Sequence, residues 1–389
     1  MVWIYMSRKC ASYRSAERDV TMGLIGAAVA PKYVVSILFL LLLFSSPASA
    51  HRSYESYLTL SFDRQPELIW EIESNNFELL FNLDDNGNEI ISWKELLNHQ
   101  QEVLEYALNE ISVRFDNQSL LLEVGTVEAK RRGDQTYLVV HFLLPDDFHP
   151  EKMGLSYKLF FDVDKQQRLL LSIYSVKGKD IYLLSPEESS IQVDITVNNL
   201  WLQVRQFVKE GVYHLFGGYD HVAFLLMLLL AHMSRIDDRN TMLVGRLIKV
   251  VTSFSVAHTL TLFLAATNTV VLPIALVELV IAITVMVSAL SNALGRAQML
   301  SWQVAFVFGL IHGFGFANVL NAIELQQNHY MVLLFSFNVG LEVGQLLLVS
   351  AVLPLLLWLR RFKSSFKRFR SICSITTIAL SFVWVLQRV

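Results

Sequence analysis

The hydrophobic period of the chain changes along its length. "NNFELLFNL" and "WKELLNHQQEVLEYALNEI" space their apolar residues as helices do, on either side of a polar loop. Beyond Ile111 the pattern becomes alternating: "ISVRFD", "SLLLEVGTVEAK", "TYLVVHFLL", "YKLFFDV", "RLLLSIYSV" and "SSIQVDITV" read as strands separated by turn residues. From residue 201 long apolar runs take over. "LWLQVRQFVKEGVYHLF" is amphipathic and is expected to lie along a membrane surface. Six spans follow, near 216–233, 250–267, 270–290, 302–321, 330–358 and 371–387. Most are long enough for a hydrocarbon core of ~30 Å at ~1.5 Å per residue. The expected fold is a polytopic α-helical membrane protein with six transmembrane helices and an N-terminal extracytoplasmic α+β domain. Its parts are a helical EF-hand-like segment at 51–110, a β-sandwich-like module at 111–200 and a membrane domain at 201–389.

The segment ending in Ala48-Ser49-Ala50 has a basic flank, an apolar core and a small-x-small terminus. It reads as a secretory signal over residues 1–50, cleaved before His51, and a start at Met22 would give it ordinary proportions. Loop charge supplies the orientation. Arg235, Arg239, Arg246, Lys249 and Arg296, and the run Arg360, Arg361, Lys363, Lys367, Arg368 and Arg370, fall on alternate loops. The remaining loops, "TNT" and "ELQQNHY", carry neither Lys nor Arg, so the basic loops are cytoplasmic. The expected location is the bacterial cytoplasmic (inner) membrane, with residues 51–200 on the periplasmic side. The formal net charge of -3 says little where the sign varies along the chain. The basic residues form no exposed stripe, which excludes a nucleic-acid partner. Cysteine is confined to Cys10 and Cys373, which excludes a thiolate metal site.

Ionisable residues inside spans are costly in lipid and ordinarily face a protein interior. Asp220, His221, His258, Glu278, His312, Asn338, Glu342 and Gln345 fall in the expected spans, with Asn292 at the inner end of the third. Ser255, His258 and Thr261 share one helix face, as do Asn338, Glu342 and Gln345. Gly309-x-x-x-Gly313 and Gly340-x-x-x-Gly344 permit close helix approach. In "HLFGGYDH", His214 and His221 would sit ~10 Å apart along an unbroken helix, too far to share one ion. Gly217-Gly218 can interrupt that helix and return His214 to the site. Asp220 would ligate or hold a histidine ring. Imidazole and carboxylate without thiolate suit nickel, cobalt, zinc, manganese or iron. His232, His329, His99, His141 and His149 read as boundary or surface residues.

These residues resemble the HupE/UreJ family in its longer form with an exported N-terminal region. "HLFGGYDH" is similar to that family's His-x5-Asp-His signature, through His214, Asp220 and His221. "VAHTLTL", "VELVIAI", "GLIHGFGFA" and "FNVGLEVGQ" look like its later membrane motifs, in order, so the resemblance covers roughly residues 201–389. It implies uptake of nickel or cobalt. On the spacing of the polar residues, the metal would be captured near His214, Asp220 and His221 and pass His258, His312, Glu278 and Glu342, with Asn338 in the same site.

A second motif lies in the expected ectodomain. "DDNGNEIISWKE" places Asp84, Asn86 and Asn88 at calcium-loop positions one, three and five, with Ile90 at seven, Ser92 at nine and Glu95 at twelve. Glu89 stands where glycine normally permits the sharp turn, which predicts weak calcium binding. His51, as a mature N-terminus, would offer an amine and an imidazole to copper or nickel. Two other functions compete with metal permeation. One is an intramembrane zinc hydrolase with Glu278 or Glu342 as general base. The other is a membrane-anchored binding or assembly protein whose β module recruits a periplasmic protein partner.

Overall fold

In the computed structural model, residues 55–388 are described apart from 63–65, 88–90, 133–134, 146–147, 166, 176–177, 235–239, 268, 271, 297–298 and 317–328. The expected signal segment, with Met22 and His51, lies outside the described residues.

The N-terminal part is α+β. Strands β1 (Glu55–Ser61) and β2 (Glu67–Glu73) precede helices α1 (Trp93–Asn98) and α2 (Gln100–Glu110). Then come β3 (Ile111–Phe115), β4 (Gln118–Leu120), β5 (Glu123–Arg132), β6 (Gln135–Leu143), β7 (Lys152–Tyr157), β8 (Arg168–Ser175), β9 (Gly178–Leu184) and β10 (Ser190–Asp194). One sheet has the order β5-β6-β2-β1-β8-β9 and the other β10-β7-β3-β4. β1 pairs in parallel with β8 and antiparallel with β2. One apolar core lies between the sheets, with Leu58, Trp70, Val140, Leu171 and Leu184 from the first and Val113, Phe115, Leu155 and Val193 from the second.

Several expectations need correction here. The segment 51–110 is not all helical, because β1 and β2 complete the larger sheet. "NNFELLFNL" forms only a 3-10 helix at Ser74–Leu79, so no full helix enters the calcium-like loop. The second expected helix breaks at His99. "YKLFFDV" is a strand only at its first residue. Beyond Tyr157 the backbone turns, with Phe160 at φ 62°, yet Leu159, Phe160 and Phe161 remain buried. A loop that buries an apolar run looks like a strand in sequence. "DIYLL" lies within β9, which the turn residues before it concealed.

The C-terminal part holds α3 (Leu200–Gly217), α4 (Tyr219–Met233), α5 (Asn240–Ala266), α6 (Ile274–Ala293), α7 (Trp302–Gly313), α8 (Tyr330–Arg360) and α9 (Lys363–Gln387). Four of these, α5, α6, α8 and α9, are each long and apolar enough to cross a bilayer; α3 and α4 together make a fifth, broken span, bent by 72°. α7 is a shorter apolar helix followed by a 3-10 turn at Phe314–Phe316; the rest of the expected fourth span lies outside the described residues.

α3 departs from the expected surface helix. It packs along α8, with Gly211 against the Phe337 carbonyl and Gly340 against the Val208 carbonyl, so that a Cβ at either glycine would strike backbone. The other end of α3 covers the edge strand β9. The Ile181 and Leu183 amides donate to the Gln203 and Gln206 side-chain oxygens at 3.3 and 3.2 Å. Edge amides that would otherwise lack partners are thereby satisfied.

The larger sheet is apolar on both faces for a related reason. Leu169, Leu171 and Ile173 point into the sandwich core. Tyr57, Tyr137, Leu170, Ile181 and Leu183 instead form a second core with Phe207, Leu262, Ala266, Tyr330, Leu333, Leu334 and Phe337. The sheet thus docks on the ends of α3, α5 and α8. Each such fully buried Leu, Ile or Phe contributes about 1.5–3 kcal/mol.

Candidate metal centre

The break between α3 and α4 builds the first half of the site. His214 lies in the last turn of α3, and Asp220 and His221 lie in the first turn of α4. Gly218 ends α3 in an extended conformation at φ -78°, ψ 90°. A side chain there would collide with the His221 ring and the His214 carbonyl, so the corner requires glycine. The result is the return of His214 that the glycine pair predicts: the His214 and His221 rings lie 5.0 Å apart between centroids.

α5 adds His258. Its ring is 6.4 Å from that of His214 and 6.0 Å from that of His221. One ligand nitrogen from each of the three histidines lies within 4.8 Å of the others. Among the described residues this is the group of three or more metal-ligating side chains so gathered. α5 and α7 approach closely, because Gly309 and Gly313 face the Phe254 and His258 carbonyls without side chains between. That contact brings in His312, whose ring lies 5.2 Å from that of His221.

The rings are oriented from behind. A carboxylate only accepts, so His221 Nδ1–H donates to Asp220 Oδ1, at 2.9 Å. This leaves Nε2 of His221 as the acceptor nitrogen, buried and without a hydrogen-bond partner. His312 Nδ1–H donates to the Phe308 carbonyl at 2.8 Å, leaving its Nε2 as the basic nitrogen. Neither ring nitrogen of His258 makes a hydrogen bond, although the residue is fully buried. Buried polar atoms are nearly always satisfied, so unsatisfied imidazole nitrogens gathered in one place form a ready donor set for a cation.

The surroundings are apolar. Phe337 lies 5.4 Å from His214, Phe254 lies 6.3 Å from His221, and Phe224 stacks on His312 at 5.5 Å. Sequence spacing alone does not single out these phenylalanines from ordinary core residues. Below His221 a cavity of about 10 Å³, lined also by Leu215 and Gln345, is at the threshold for one water. Ser255 Oγ donates to Gln345 Oε1 at 2.8 Å, joining the α5 and α8 polar faces. Asn338 is buried on α8, donates to the Leu334 carbonyl and stands beside His258.

Two expected residues lie elsewhere. Glu278 lies in the second turn of α6 and pairs with Arg388 at 3.4 Å, tying the end of α9 to α6. Glu342 is exposed although Asn338 and Gln345 are buried. At ~100° per residue these three span ~60°, and Glu342 falls on the rim that turns outward, because the Gly340–Gly344 side seats α3. Asn292 donates to the Met227 carbonyl at 2.7 Å and supports α4 rather than the histidines.

In the calcium-like loop, Asn88 and Ile90 lie outside the described residues. Asp84 Oδ1 accepts the Gly87 amide at 2.8 Å. Both Glu95 oxygens are engaged: Oε1 accepts from Asn86 Nδ2 at 2.5 Å, and Oε2 accepts from the Ser92 amide and hydroxyl at 2.8 and 2.6 Å. Ser92 and Glu95 form the capping box of α1. These hydrogen bonds hold the Glu95 carboxyl below its ordinary range, the Ser92 side chain having the largest effect.

Comparison with known proteins agrees with the ordered membrane motifs. No curated protein matches the chain significantly. The family model described as HupE / UreJ protein matches residues 190–388, from β10 to the end of α9 and just over half of the chain. With its His-x5-Asp-His corner folded into a histidine cluster and its later motifs following in order, the chain belongs to the HupE / UreJ family.

Proposed function

We propose that this protein is a membrane permease for a divalent transition metal, nickel or cobalt, taken up from the extracytoplasmic side. The observation that carries the reading is the convergence of His214, His221 and His258 from α3, α4 and α5 within 4.8 Å, in an apolar box. Borderline cations favour imidazole, and neutral ligands bind them without trapping them in a deep charge well. Asp220 fixes the tautomer and orientation of His221 from outside the ligand set. His312 and Asn338 would complete or relay the coordination. Glu278 and Glu342 stand away from the cluster, and this argues against a zinc hydrolase that uses either as general base.

In this reading the broken span α3–α4 and the helices α5, α6, α7, α8 and α9 mark the six expected crossings. Residues 1–50 are a removed signal, the α+β domain is periplasmic, and the loop Asp84–Glu95 takes up calcium weakly. The test is accumulation of radioactive nickel or cobalt in cells and in proteoliposomes. Uptake should require His221 and His258 and weaken in His312→Ala. Unchanged uptake in His221→Ala and His312→Ala would remove the reading.

A further inference from the structure

His214 stands on an element that two parts of the molecule share. The opening turns of α3 belong to the extracytoplasmic domain. Gln203 and Gln206 cap β9, and Gln203 Nε2 also donates to Asp180 Oδ1 at 2.8 Å. The strongest tie is one turn above the histidine. Arg168, at the start of β8, donates from Nε to Glu210 Oε1 at 2.9 Å. Its NH1 group donates to the carbonyls of Lys165 and Gln167 at 3.1 and 2.9 Å, so the guanidinium is itself held in place. The two side chains are only 15 % and 10 % exposed.

Glu210 precedes His214 by four residues, which on a helix is the same face and ~6 Å along the axis. Between them Gly211 rests on α8 backbone, leaving α3 little room to shift independently. Beyond the corner at Gly218 the support changes. α4, which carries His221, is held by α6 through the bond from Asn292 to the Met227 carbonyl. His214 and His221 are seven residues apart in sequence, yet only the first stands on a helix that also bonds to the extracytoplasmic sheet.

We propose that the extracytoplasmic domain positions His214, with Arg168 and Glu210 as the latch, and so sets the affinity and geometry of the intramembrane site. This rests on the reading that the histidine cluster binds a metal. Arg168 and Glu210 act through His214 and are positioning residues, with no contact to the ion.

The test is a Co²⁺ titration of the full-length protein in lipid nanodiscs, followed by visible d–d absorption. Wild type is compared with Arg168→Gln, Glu210→Gln, the double variant and Tyr157→Phe. The last removes a buried hydrogen bond to Ser56 in the sandwich, apart from α3. Each latch variant should weaken Co²⁺ binding about 10–100-fold, as loss of a ligand-orienting partner does, and alter the d–d bands. The double variant should be no weaker than either single one, since both remove the same bond. Tyr157→Phe should lower thermal stability and leave the Co²⁺ affinity and spectrum unchanged. Wild-type affinity and spectrum in Arg168→Gln or Glu210→Gln would overturn the inference alone. So would an equal loss in Tyr157→Phe, which would reduce the effect to general stability. If Arg168→Gln does not fold, Glu210→Gln decides by the same criterion. Absence of Co²⁺ binding in the wild type would overturn the metal reading itself, and the inference with it.

Discussion

Among the described residues the loop Asp84–Glu95 and the histidine cluster are the two places where the chain suggests a cation, and they differ in opposite ways. The loop is contiguous in sequence, but its twelfth-position carboxylate is engaged at both oxygens by Asn86 and Ser92. Calcium would have to displace bonds that already cap α1. The histidines are spread from residue 214 to residue 312, yet His221 Nε2 and both nitrogens of His258 are left without hydrogen bonds. A motif lists residue types, whereas a site requires ligand atoms that the fold has not already used. By that measure the dispersed set is the better prepared of the two.

The comparison can be broken most directly at the histidines. His258→Ala or His221→Ala should reduce Co²⁺ or Ni²⁺ affinity by more than about 100-fold, beyond what loss of an outer partner does. Calorimetric titration in detergent would read this, and near-wild-type affinity would place the metal elsewhere. Asp220→Asn should come next, at about 10–100-fold, because the amide no longer holds the His221 tautomer. A loss as large as that of His221→Ala would make Asp220 a ligand. Gly340→Leu should destabilise the fold by about 1–3 kcal/mol through overpacking against Val208, read as a lower melting temperature in nanodiscs.

The smallest effects belong to the loop. Calcium at a concentration equal to its Kd adds only about 0.4 kcal/mol of stability. A large calcium-dependent rise in melting temperature, abolished in Glu95→Gln, would reverse the comparison. The loop should also respond to acid. The folded Glu95 carboxyl is held below its ordinary value of 4.5, so its contribution is present above that value and lost as pH falls through the folded one. Acid melting curves should therefore be flatter in Glu95→Gln.

Much of the membrane part was legible before any coordinates. Apolar run lengths locate α5, α6, α8 and α9, and the glycine pair Gly217-Gly218 marks the corner that brings His214 to His221. The helix face Asn338, Glu342, Gln345 was legible only in part. Spacing places three residues within ~60°, but whether the rim of that arc faces protein or lipid depends on where α3 sits. The partner of Glu278 is illegible for a similar reason, since Arg388 is distant in sequence and the two meet only after α6 and α9 pack. In the N-terminal α+β part the sequence reading omits β1 and β2 and makes "YKLFFDV" a strand. β2 does alternate buried and more open positions, as a strand should, whereas the buried apolar loop after Tyr157 imitates one.

The sequence by itself determined the membrane character, the family, the break in the first span and the residue types able to hold a borderline cation. Those properties are local, set by run length, glycine and side-chain chemistry. Tertiary structure alone decided which of the ionisable residues converge, that the larger N-terminal sheet rests on the helix ends, and that α3 belongs to both. Convergence depends on packing between segments up to about a hundred residues apart, where a turn of one helix by a few tens of degrees moves a carboxylate from the site to its outer rim.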